Sequence, residues 1–311
     1  METNKISSET AKSKRSSIKA CIIESWKTFA MHPGTFLKYL WFHLLIAGIG
    51  FGLFSAEVNK FNTEHILSTQ KFIESGIDQE VANAIFAPST SDILIAITAC
   101  LAFLFSTYLM YGAIYTQIRF YKATDALPCS GPFSFWKELR KDGLRALMFD
   151  ILLLLVTSLS ISPVVVAAFY FNPWILLGII PILIYWAVIG YNGRLQYVVE
   201  QKSLKTAIKN GFHTGHHKFG GFFILILLTS IPLALVSVIV FQPVSLFHLA
   251  SCADRVPTLA GYPSGIAAEF LPVHILVATA GYFIYNFVFA LQQWPLALYT
   301  SAVCGKTKTN A

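Results

Sequence analysis

Charged side chains are scarce in this sequence. Only 13% of its 311 residues are Asp, Glu, Lys or Arg, and 55% are hydrophobic, whereas soluble domains carry about 25% charged residues. The mean hydropathy is +0.60. This composition excludes a soluble globular enzyme of ordinary type, and the abundance of apolar residues excludes a disordered or collagen-like chain.

Cysteine is also scarce, and its placement argues against a disulfide framework. The cysteines form no C-x-x-C pair, so we predict no disulfides. A cleavable signal peptide is not predicted either. The first apolar run begins near Phe36, behind a charged leader much longer than a normal n-region, and it is long enough to span a bilayer. The five cysteines are Cys21, Cys100, Cys129, Cys252 and Cys304.

Motifs for nucleic-acid binding are missing, although the formal net charge is +7. No basic stretch is interleaved with the Gly and aromatic pattern of an RNA-binding motif, so we predict no nucleic-acid partner. The excess of basic residues indicates instead an attraction to a membrane surface with anionic headgroups.

Six apolar stretches of spanning length predict an all-α, polytopic membrane protein that forms a single domain over 1–311. The third and fourth stretches are joined by the short turn Phe171-Asn172-Pro173-Trp174. Its Pro and its interfacial Trp suit a bend at the level of the lipid headgroups. The predicted spans are about 36–55, 93–116, 146–170, 174–193, 219–241 and 273–300.

The distribution of Lys and Arg predicts the orientation of these spans. Of the 23 basic residues, all but Lys60, Lys71 and Arg255 lie on one side of the predicted topology. Since this bias sets orientation, the tails 1–16 and 301–311 are predicted to be cytoplasmic. The opposite loop, 56–92, is acidic and has helical periodicity, which favours a short external helical cap over a flexible tether.

The chain also contains an internal repeat. The segment Ser17-Ile-Lys-Ala-Cys-Ile-Ile-Glu-Ser-Trp26 aligns without gaps with Ser203-Leu-Lys-Thr-Ala-Ile-Lys-Asn-Gly-Phe212. Each copy precedes an odd-numbered span and has an apolar face, which for the first copy includes Cys21, Trp26 and Phe29. We therefore predict amphipathic helices over 17–32 and 203–217 in the cytoplasmic headgroup layer. Their basic residues Lys19, Lys27, Lys205 and Lys209 are predicted to contact anionic headgroups.

The ends of the even-numbered spans are similar as well. They read Tyr115-Thr116, Tyr191-Asn192 and Tyr299-Thr300. Together with the repeated segments, this pattern predicts three helical hairpins, of which the first and third are visibly related.

The repeated pattern supports a family resemblance. In both copies, Ser-x-Lys-x-x-x-x-x-[Ser/Gly]-[Trp/Phe] is followed by a Gly, Gly34 or Gly220, and by a Phe, Phe36 or Phe222, that lead into a span. This resembles a broad group of uncharacterised bacterial six-helix membrane proteins, akin to the membrane domain fused to some glycerophosphodiester phosphodiesterases. The sequence contains no attached phosphodiesterase domain, so the resemblance implies a fold and not a reaction.

A cluster of three histidines is a candidate metal site. His213, His216 and His217 form an H-x-x-H-H string that is similar to one histidine box of membrane fatty-acid desaturases and hydroxylases. His213 and His217 are four residues apart, so on a helix they could bind one Fe, Zn or Cu ion. Such a centre needs further boxes on the same side, and these are missing. The alternative is that all three histidines face headgroups and water, with no cofactor.

Span six carries a polar stripe among apolar residues, and spans one and two add polar residues that could face it. Such residues either line a functional interior or hydrogen-bond helix to helix. Asp150, near the cytoplasmic end of span three, is predicted to pair with Arg145 or Arg119. The candidate interior residues are His43, Tyr108, Tyr111, Tyr115, His274, Tyr282, Tyr285, Asn286, Gln292 and Gln293.

The functional prediction is a non-enzymatic, multi-pass inner-membrane protein with an envelope or lipid-linked role, which could act as a partner subunit of another membrane protein or as a homo-oligomer. A small-solute or lipid permease lined by span six is the alternative. A membrane metalloenzyme that uses the H-x-x-H-H string is the second alternative. These readings follow from the basic repeated helices, the polar stripe and the histidine string respectively.

Overall fold

The computed structural model describes residues 17–128, 131–267 and 269–306. Every regular element in these ranges is helical. The predicted tail 1–16, residues 307–311 of the predicted tail 301–311, and Cys129 lie outside the described residues. The helices are α1 (Ile18–Met31), α2 (Pro33–Phe61), a π-helix (Asn62–Leu67), α3 (Ser68–Glu74), α4 (Gln79–Phe86), α5 (Thr90–Thr124), α6 (Trp136–Tyr170), a 3-10 helix (Pro173–Gly178), α7 (Ile179–Val198), α8 (Leu204–His217), α9 (Phe219–Leu259) and α10 (Phe270–Lys306).

Among the described residues, six helical segments are long and apolar enough to cross a membrane, as the hydropathy pattern predicts. The coarse prediction of an all-α, six-span membrane protein is therefore confirmed. The segments are Pro33–Glu74, Thr90–Thr124, Trp136–Tyr170, Pro173–Val198, Phe219–Leu259 and Phe270–Val303.

The spanning helical segments are longer than the apolar stretches on which their prediction rests. α9 continues to Leu259, whereas the predicted fifth span ends at 241. Much of the predicted external loop 56–92 is also helical, because α2 runs on through the π-helix and α3, and α4 follows. Local sequence explains one of these helix starts: the side chain of Asp78 caps α4 by accepting a hydrogen bond from the Glu80 amide at 2.7 Å.

α1 and α8, which come from the two similar sequence segments, each begin after a serine cap. The Ser17 hydroxyl accepts from the Ala20 amide and the Ser203 hydroxyl accepts from the Thr206 amide. In both helices the aromatic residue at the same aligned position, Trp26 or Phe212, is exposed. The buried residues occupy the same aligned positions: Cys21, Ser25, Thr28 and Phe29 in α1, and Ala207, Gly211, Thr214 and Gly215 in α8.

The chain divides into two compact units. The first unit comprises Met1–Leu40, Tyr111–Pro232 and Phe289–Ala311, and the second comprises Trp41–Met110 and Leu233–Val288. Within the first unit, α6 and α7 contact each other along antiparallel paths. The Trp186 indole donates to the Ser160 hydroxyl at 3.1 Å, and Gly190 lies against Leu153.

Within the second unit, α2 and α10 approach each other closely at two glycines. A Cβ atom on Gly48 would lie 2.7 Å from the carbonyl oxygen of Thr279, and one on Gly52 would lie 2.7 Å from that of Ile275. Small residues four apart on one helix face allow such backbone approach. The sequence Gly48-Ile-Gly-Phe-Gly52 therefore serves helix packing in this unit.

Candidate functional site

A buried ion pair lies in the first unit. Arg194 on α7 is only 8% exposed, and its guanidinium lies 3.1 Å from the carboxylate of Asp150 on α6. Burying a charged side chain within a membrane-spanning helix costs free energy, and pairing with an opposite charge offsets part of this cost. A buried ion pair in such a helix is therefore a candidate functional site.

Two tyrosines of α5 complete the surroundings of Arg194. The guanidinium lies over the Tyr111 ring at 4.7 Å and over the Tyr115 ring at 5.2 Å, which are cation–π distances. The Tyr115 hydroxyl in turn donates to the side-chain oxygen of Gln293 on α10 at 3.2 Å. The structure therefore places two predicted interior residues, Tyr111 and Tyr115, against one buried cation, and a third, Gln293, is hydrogen-bonded to Tyr115.

The predicted partners of Asp150 are wrong. Arg119 lies against Asp142 instead, at 3.2 Å, and Arg145 donates to the backbone oxygen of Tyr197 at 2.9 Å. Asp150 pairs with Arg194, which is 44 residues away in the sequence, because α6 and α7 run antiparallel and bring these positions together.

Asp142 is a second buried carboxylate in the same unit. It is fully buried, and it accepts hydrogen bonds from Thr116 and from Gln201, each at 2.9 Å, in addition to its contact with Arg119. Gln201 has a backbone φ of +53°, in the left-handed region that a non-glycine residue rarely adopts. A buried carboxylate thus holds a strained residue between α7 and α8.

A third ion pair joins Lys122 of α5 to Glu200, which also accepts from the Ser301 hydroxyl at 2.7 Å. Glu200 follows the end of α7. Burial opposes its ionisation, but the charge and hydrogen bond of Lys122 outweigh this effect and hold the pKa of the Glu200 carboxyl below its usual range. Sequence reasoning did not single out this residue.

An apolar groove lies between α6, α7 and α8 in the first unit. Its cavity volume is about 50 Å³ and its surface is almost entirely apolar. Gly190, Gly193 and Gly211 line part of it and mark close contacts between the helices. A Cβ atom would lie 2.5 Å from the Leu153 side chain at Gly190, 2.7 Å from the Phe149 side chain at Gly193 and 2.9 Å from the Gly193 Cα atom at Gly211. The other side chains that shape it include Leu153, Val156, Trp186, Ile208 and Phe212.

Basic residues adjoin this groove along α8. Lys205 precedes the groove residue Ile208 by three positions and Lys209 precedes Phe212 by three, spacings that make them neighbours on a helix surface. Both lysines are exposed, as are Lys19 and Lys27 on α1. The structure therefore places exposed positive charge at the edge of an apolar groove.

The three histidines of the H-x-x-H-H string are all exposed on α8. The rings of His213 and His217 lie 4.6 Å apart, as their spacing on a helix requires, and His216 and His217 lie 6.2 Å apart. Across residues 17–128, 131–267 and 269–306, no group of three or more His, Cys, Asp or Glu side chains is arranged to hold a metal ion.

Span six contributes its polar residues to hydrogen bonds in both units. In the first unit, the Gln292 amide donates to the Ser230 hydroxyl at 2.9 Å. In the second unit, fully buried His274 bonds through Nε2 to the Ser55 hydroxyl at 3.0 Å. Asn286 donates to the Tyr282 carbonyl of its own helix at 2.8 Å.

The remaining predicted interior residues belong mainly to aromatic packing in the second unit. Tyr282 stacks on Phe51 at 4.5 Å, and the half-buried Tyr285 lies 5.5 Å from Phe241. His43 is buried beside Phe42, with ring centroids 5.9 Å apart, and Tyr108 is half-buried.

A larger cavity, of about 280 Å³, lies in the second unit at the ends of α2 and α5. Its polar lining residues are Glu57, Lys60, His65 and Asp92. Sequence reasoning assigned these residues to an acidic loop and missed the cavity. The sequence feature that could have indicated the cavity is the pair Glu57 and Lys60, three residues apart at the end of an apolar span. The π-helix that carries His65 has no recognisable sequence pattern.

Six apolar helices and charge pairs between them define a multi-pass α-helical membrane protein. Comparison of the chain with protein-family models, with curated proteins and with solved structures finds no match.

Proposed function

We propose that the chain is a non-enzymatic, multi-pass protein of a bacterial inner membrane with a lipid-linked role, in which it holds an anionic phospholipid of the cytoplasmic leaflet. The observation that carries this proposal is the apolar groove between α6, α7 and α8, whose lining residues Ile208 and Phe212 each follow an exposed lysine, Lys205 or Lys209, by three positions on α8. An apolar slot beside exposed positive charge suits an acyl chain attached to an anionic headgroup.

The groove favours a hydrocarbon chain over a polar ligand. Its surface is almost entirely apolar, so a polar ligand would lose hydrogen bonds to water without gaining new ones. A lipid chain loses nothing of this kind.

The lysines favour a phospholipid with net negative charge. Each Lys near an anionic membrane surface contributes about 1 kcal/mol of attraction. His216 is exposed on the same side of α8, next to Lys205 and Lys209 on the helical wheel, and it adds a hydrogen-bond donor. In this proposal α1 and α8 are amphipathic helices in the cytoplasmic headgroup layer.

Backbone conformation supports the proposed hairpin repeat. In the part of the chain that the structure describes, two non-glycine residues have left-handed backbones, Asp125 and Gln201, both with φ of +53°. Each stands ten residues after the tyrosine that closes an even-numbered span, Tyr115 or Tyr191. A shared turn at the same distance from the same residue is what two copies of one hairpin would produce.

The orientation and the relatives of the chain belong to the same proposal. The charge distribution supports cytoplasmic termini, and the repeated segments support a relationship to the six-helix membrane proteins named above. In a cell-based labelling experiment, an introduced thiol at Glu64 should react from outside, and native Cys129 should react only from the cytoplasm. The reverse pattern would contradict the orientation.

The lipid proposal is tested in nanodiscs that contain either phosphatidylglycerol or only phosphatidylcholine. Phosphatidylglycerol should raise the melting temperature of the protein, because a ligand that binds only the folded state stabilises it. The variant Lys205→Gln/Lys209→Gln should bind the anionic lipid about thirtyfold more weakly, since two lysines contribute about 2 kcal/mol.

The matched control is Lys137→Gln/Lys141→Gln, which removes the same charge from exposed positions near the start of α6. This control should keep the preference for phosphatidylglycerol. Val156→Phe, which fills the groove, should reduce the lipid that co-purifies with the protein, as measured by mass spectrometry. Equal stabilisation by both lipids, or equal losses in the two lysine variants, would contradict the proposal.

A further inference from the structure

The cavity at the ends of α2 and α5 in the second unit combines apolar walls with a small group of polar side chains. Its volume, about 280 Å³, lies near the lower end of the range for ligand pockets, about 300 Å³. It can therefore accept a small molecule or one segment of a larger amphiphile. Phe61, Ile97 and Cys100 contribute to its apolar walls.

Two of the four polar residues neutralise each other. The Lys60 ammonium lies 2.6 Å from one carboxylate oxygen of Asp92, and the Ser89 hydroxyl donates to the other oxygen at 2.5 Å. Asp92 is therefore occupied on both oxygens, and Lys60 has its counter-ion.

Glu57 is left as the uncompensated charge of the cavity. It is half-buried, and its carboxylate makes no hydrogen bond with the residues that the structure describes. With Lys60 and Asp92 paired, the lining carries one net negative charge. A partly desolvated carboxylate of this kind attracts a cation.

The remaining polar and aromatic groups also suit a cation. His65 lies in the π-helix, a rare conformation that is frequent at functional sites. Its Nδ1 contacts the Phe86 carbonyl oxygen. A carbonyl can only accept, so Nδ1 carries the hydrogen and Nε2 of the neutral ring is an acceptor. The ring of Phe61, 5.2 Å from that of His65, offers a π-face.

We propose that this cavity binds an organic ammonium ion with an apolar body, either the headgroup of an amine-bearing lipid or a soluble alkylamine. Glu57 pairs with the ammonium, His65 Nε2 accepts one of its hydrogens, and the apolar walls hold the attached carbon chain. A carboxylate, a neutral acceptor and an aromatic face are the groups that recognise such cations.

Cys100, which lines the cavity, provides the readout. The other four cysteines are replaced by Ala, and the full-length protein is placed in phosphatidylglycerol nanodiscs, whose lipids carry no ammonium group and where both faces are accessible. The rate of Cys100 alkylation by a small maleimide is then measured. Hexylammonium should slow alkylation by about tenfold at ten times its Kd, because only the empty fraction reacts. Hexanol, which has the same chain without the charge, should slow it much less.

Charge-matched variants test the role of Glu57. Glu57→Gln should weaken protection by hexylammonium about tenfold, as expected for the loss of a charge-assisted hydrogen bond. Glu80→Gln removes the same charge from an exposed position outside the cavity and should keep full protection. The comparison of hexylammonium with hexanol uses unmodified Glu57, so the proposal can be tested even if Glu57→Gln does not fold.

The two sources of the ligand are separated by lipid composition. If an amine-bearing lipid is the occupant, nanodiscs of phosphatidylethanolamine should slow alkylation without any added amine, whereas phosphatidylglycerol should not. If only a soluble amine fits, both lipids should give the same rate, and hexylammonium should still protect. Equal protection by hexanol and hexylammonium, or equal rates with and without hexylammonium, would overturn the proposal.

Discussion

The two units of this protein bury polar groups in different ways. Among its described residues, the first unit contains three ion pairs with limited exposure: Asp150 with Arg194, Asp142 with Arg119 and Glu200 with Lys122. The described ion pairs of the second unit, Lys60 with Asp92 and Arg255 with Glu64, are more exposed. This unit buries polar groups through neutral hydrogen bonds such as that of Ser55 with His274, and it packs through aromatic stacking and close helix contact at glycines.

This difference changes what each unit tolerates. A desolvated ion pair is robust while both partners are present and fragile when one is removed, because the remaining charge has no compensation. A close helix contact depends on volume and is disturbed by added atoms. The first unit should therefore be sensitive to single charge deletions, and the second to enlarged small residues.

The largest expected effect is the loss of one partner of the buried pair. Asp150→Leu should lower the free energy of unfolding by about 3–5 kcal/mol, because it leaves the Arg194 guanidinium buried without a carboxylate. Adding Arg194→Leu should recover part of this loss. Both variants can be compared by denaturant titration in mixed micelles. A double variant no more stable than Asp150→Leu would contradict the electrostatic explanation.

An intermediate effect is expected at the glycine contact of the second unit. Gly48→Ala places a methyl group 2.7 Å from the Thr279 carbonyl oxygen, so it should destabilise by about 1–3 kcal/mol. The control is Gly34→Ala in the first unit, where the added methyl meets nothing within 4 Å. The same titration measures both. Equal effects would mean that helix propensity, and not the contact, determines the outcome.

A smaller effect should appear on acidification. The lowered pKa of Glu200 means that its pairing with Lys122 contributes stability above the unfolded carboxyl pKa, about 4.3, and that this contribution is lost as the pH falls through the folded value. Glu200→Gln should remove about 1 kcal/mol or less at neutral pH. It should also flatten the fall in melting temperature on acidification. An unchanged pH profile would contradict this assignment.

The smallest effect concerns the exposed pair of the second unit. The side chain of Lys60 is 42% exposed and that of Asp92 is 30% exposed, so Lys60→Gln should cost at most about 1 kcal/mol. The difference should shrink as salt is raised, since exposed charges are screened. If the loss of stability in Lys60→Gln were unchanged in 1 M salt, this pair would behave like the buried ion pairs, which would contradict the prediction.

Hydropathy was sufficient to predict the six spanning helices, because the need to satisfy every backbone group in lipid leaves few alternatives to a helix. It did not predict where the helices end. Leu259 lies well beyond the last residue of the apolar stretch, and a helix can continue into a polar sequence when its neighbours support it. The length of an apolar stretch therefore indicates which part of a helix lies in the bilayer, but not where the helix ends.

The pairing of charges could not be predicted from sequence. Asp150 has Arg145 five residues away and Arg119 on the preceding helix, but its partner is Arg194 on the following one. The choice depends on the register between antiparallel helices, which Gly190 and Leu153 help to set by close contact. The same holds for the predicted polar stripe of span six. The sequence identified its residues as polar, but it did not predict that Ser55 and Ser230 would be their hydrogen-bond partners.

The strained backbone at Gln201 has a consequence for movement of α8. Gln201 cannot rotate away from its left-handed conformation without giving up its hydrogen bond to Asp142, which belongs to α6. The segment that connects α7 to α8 is therefore tied to α6, and a movement of α8 that carried this segment away from α6 would break the hydrogen bond. A lipid chain in the groove beside it would leave sideways, by lateral diffusion into the surrounding leaflet.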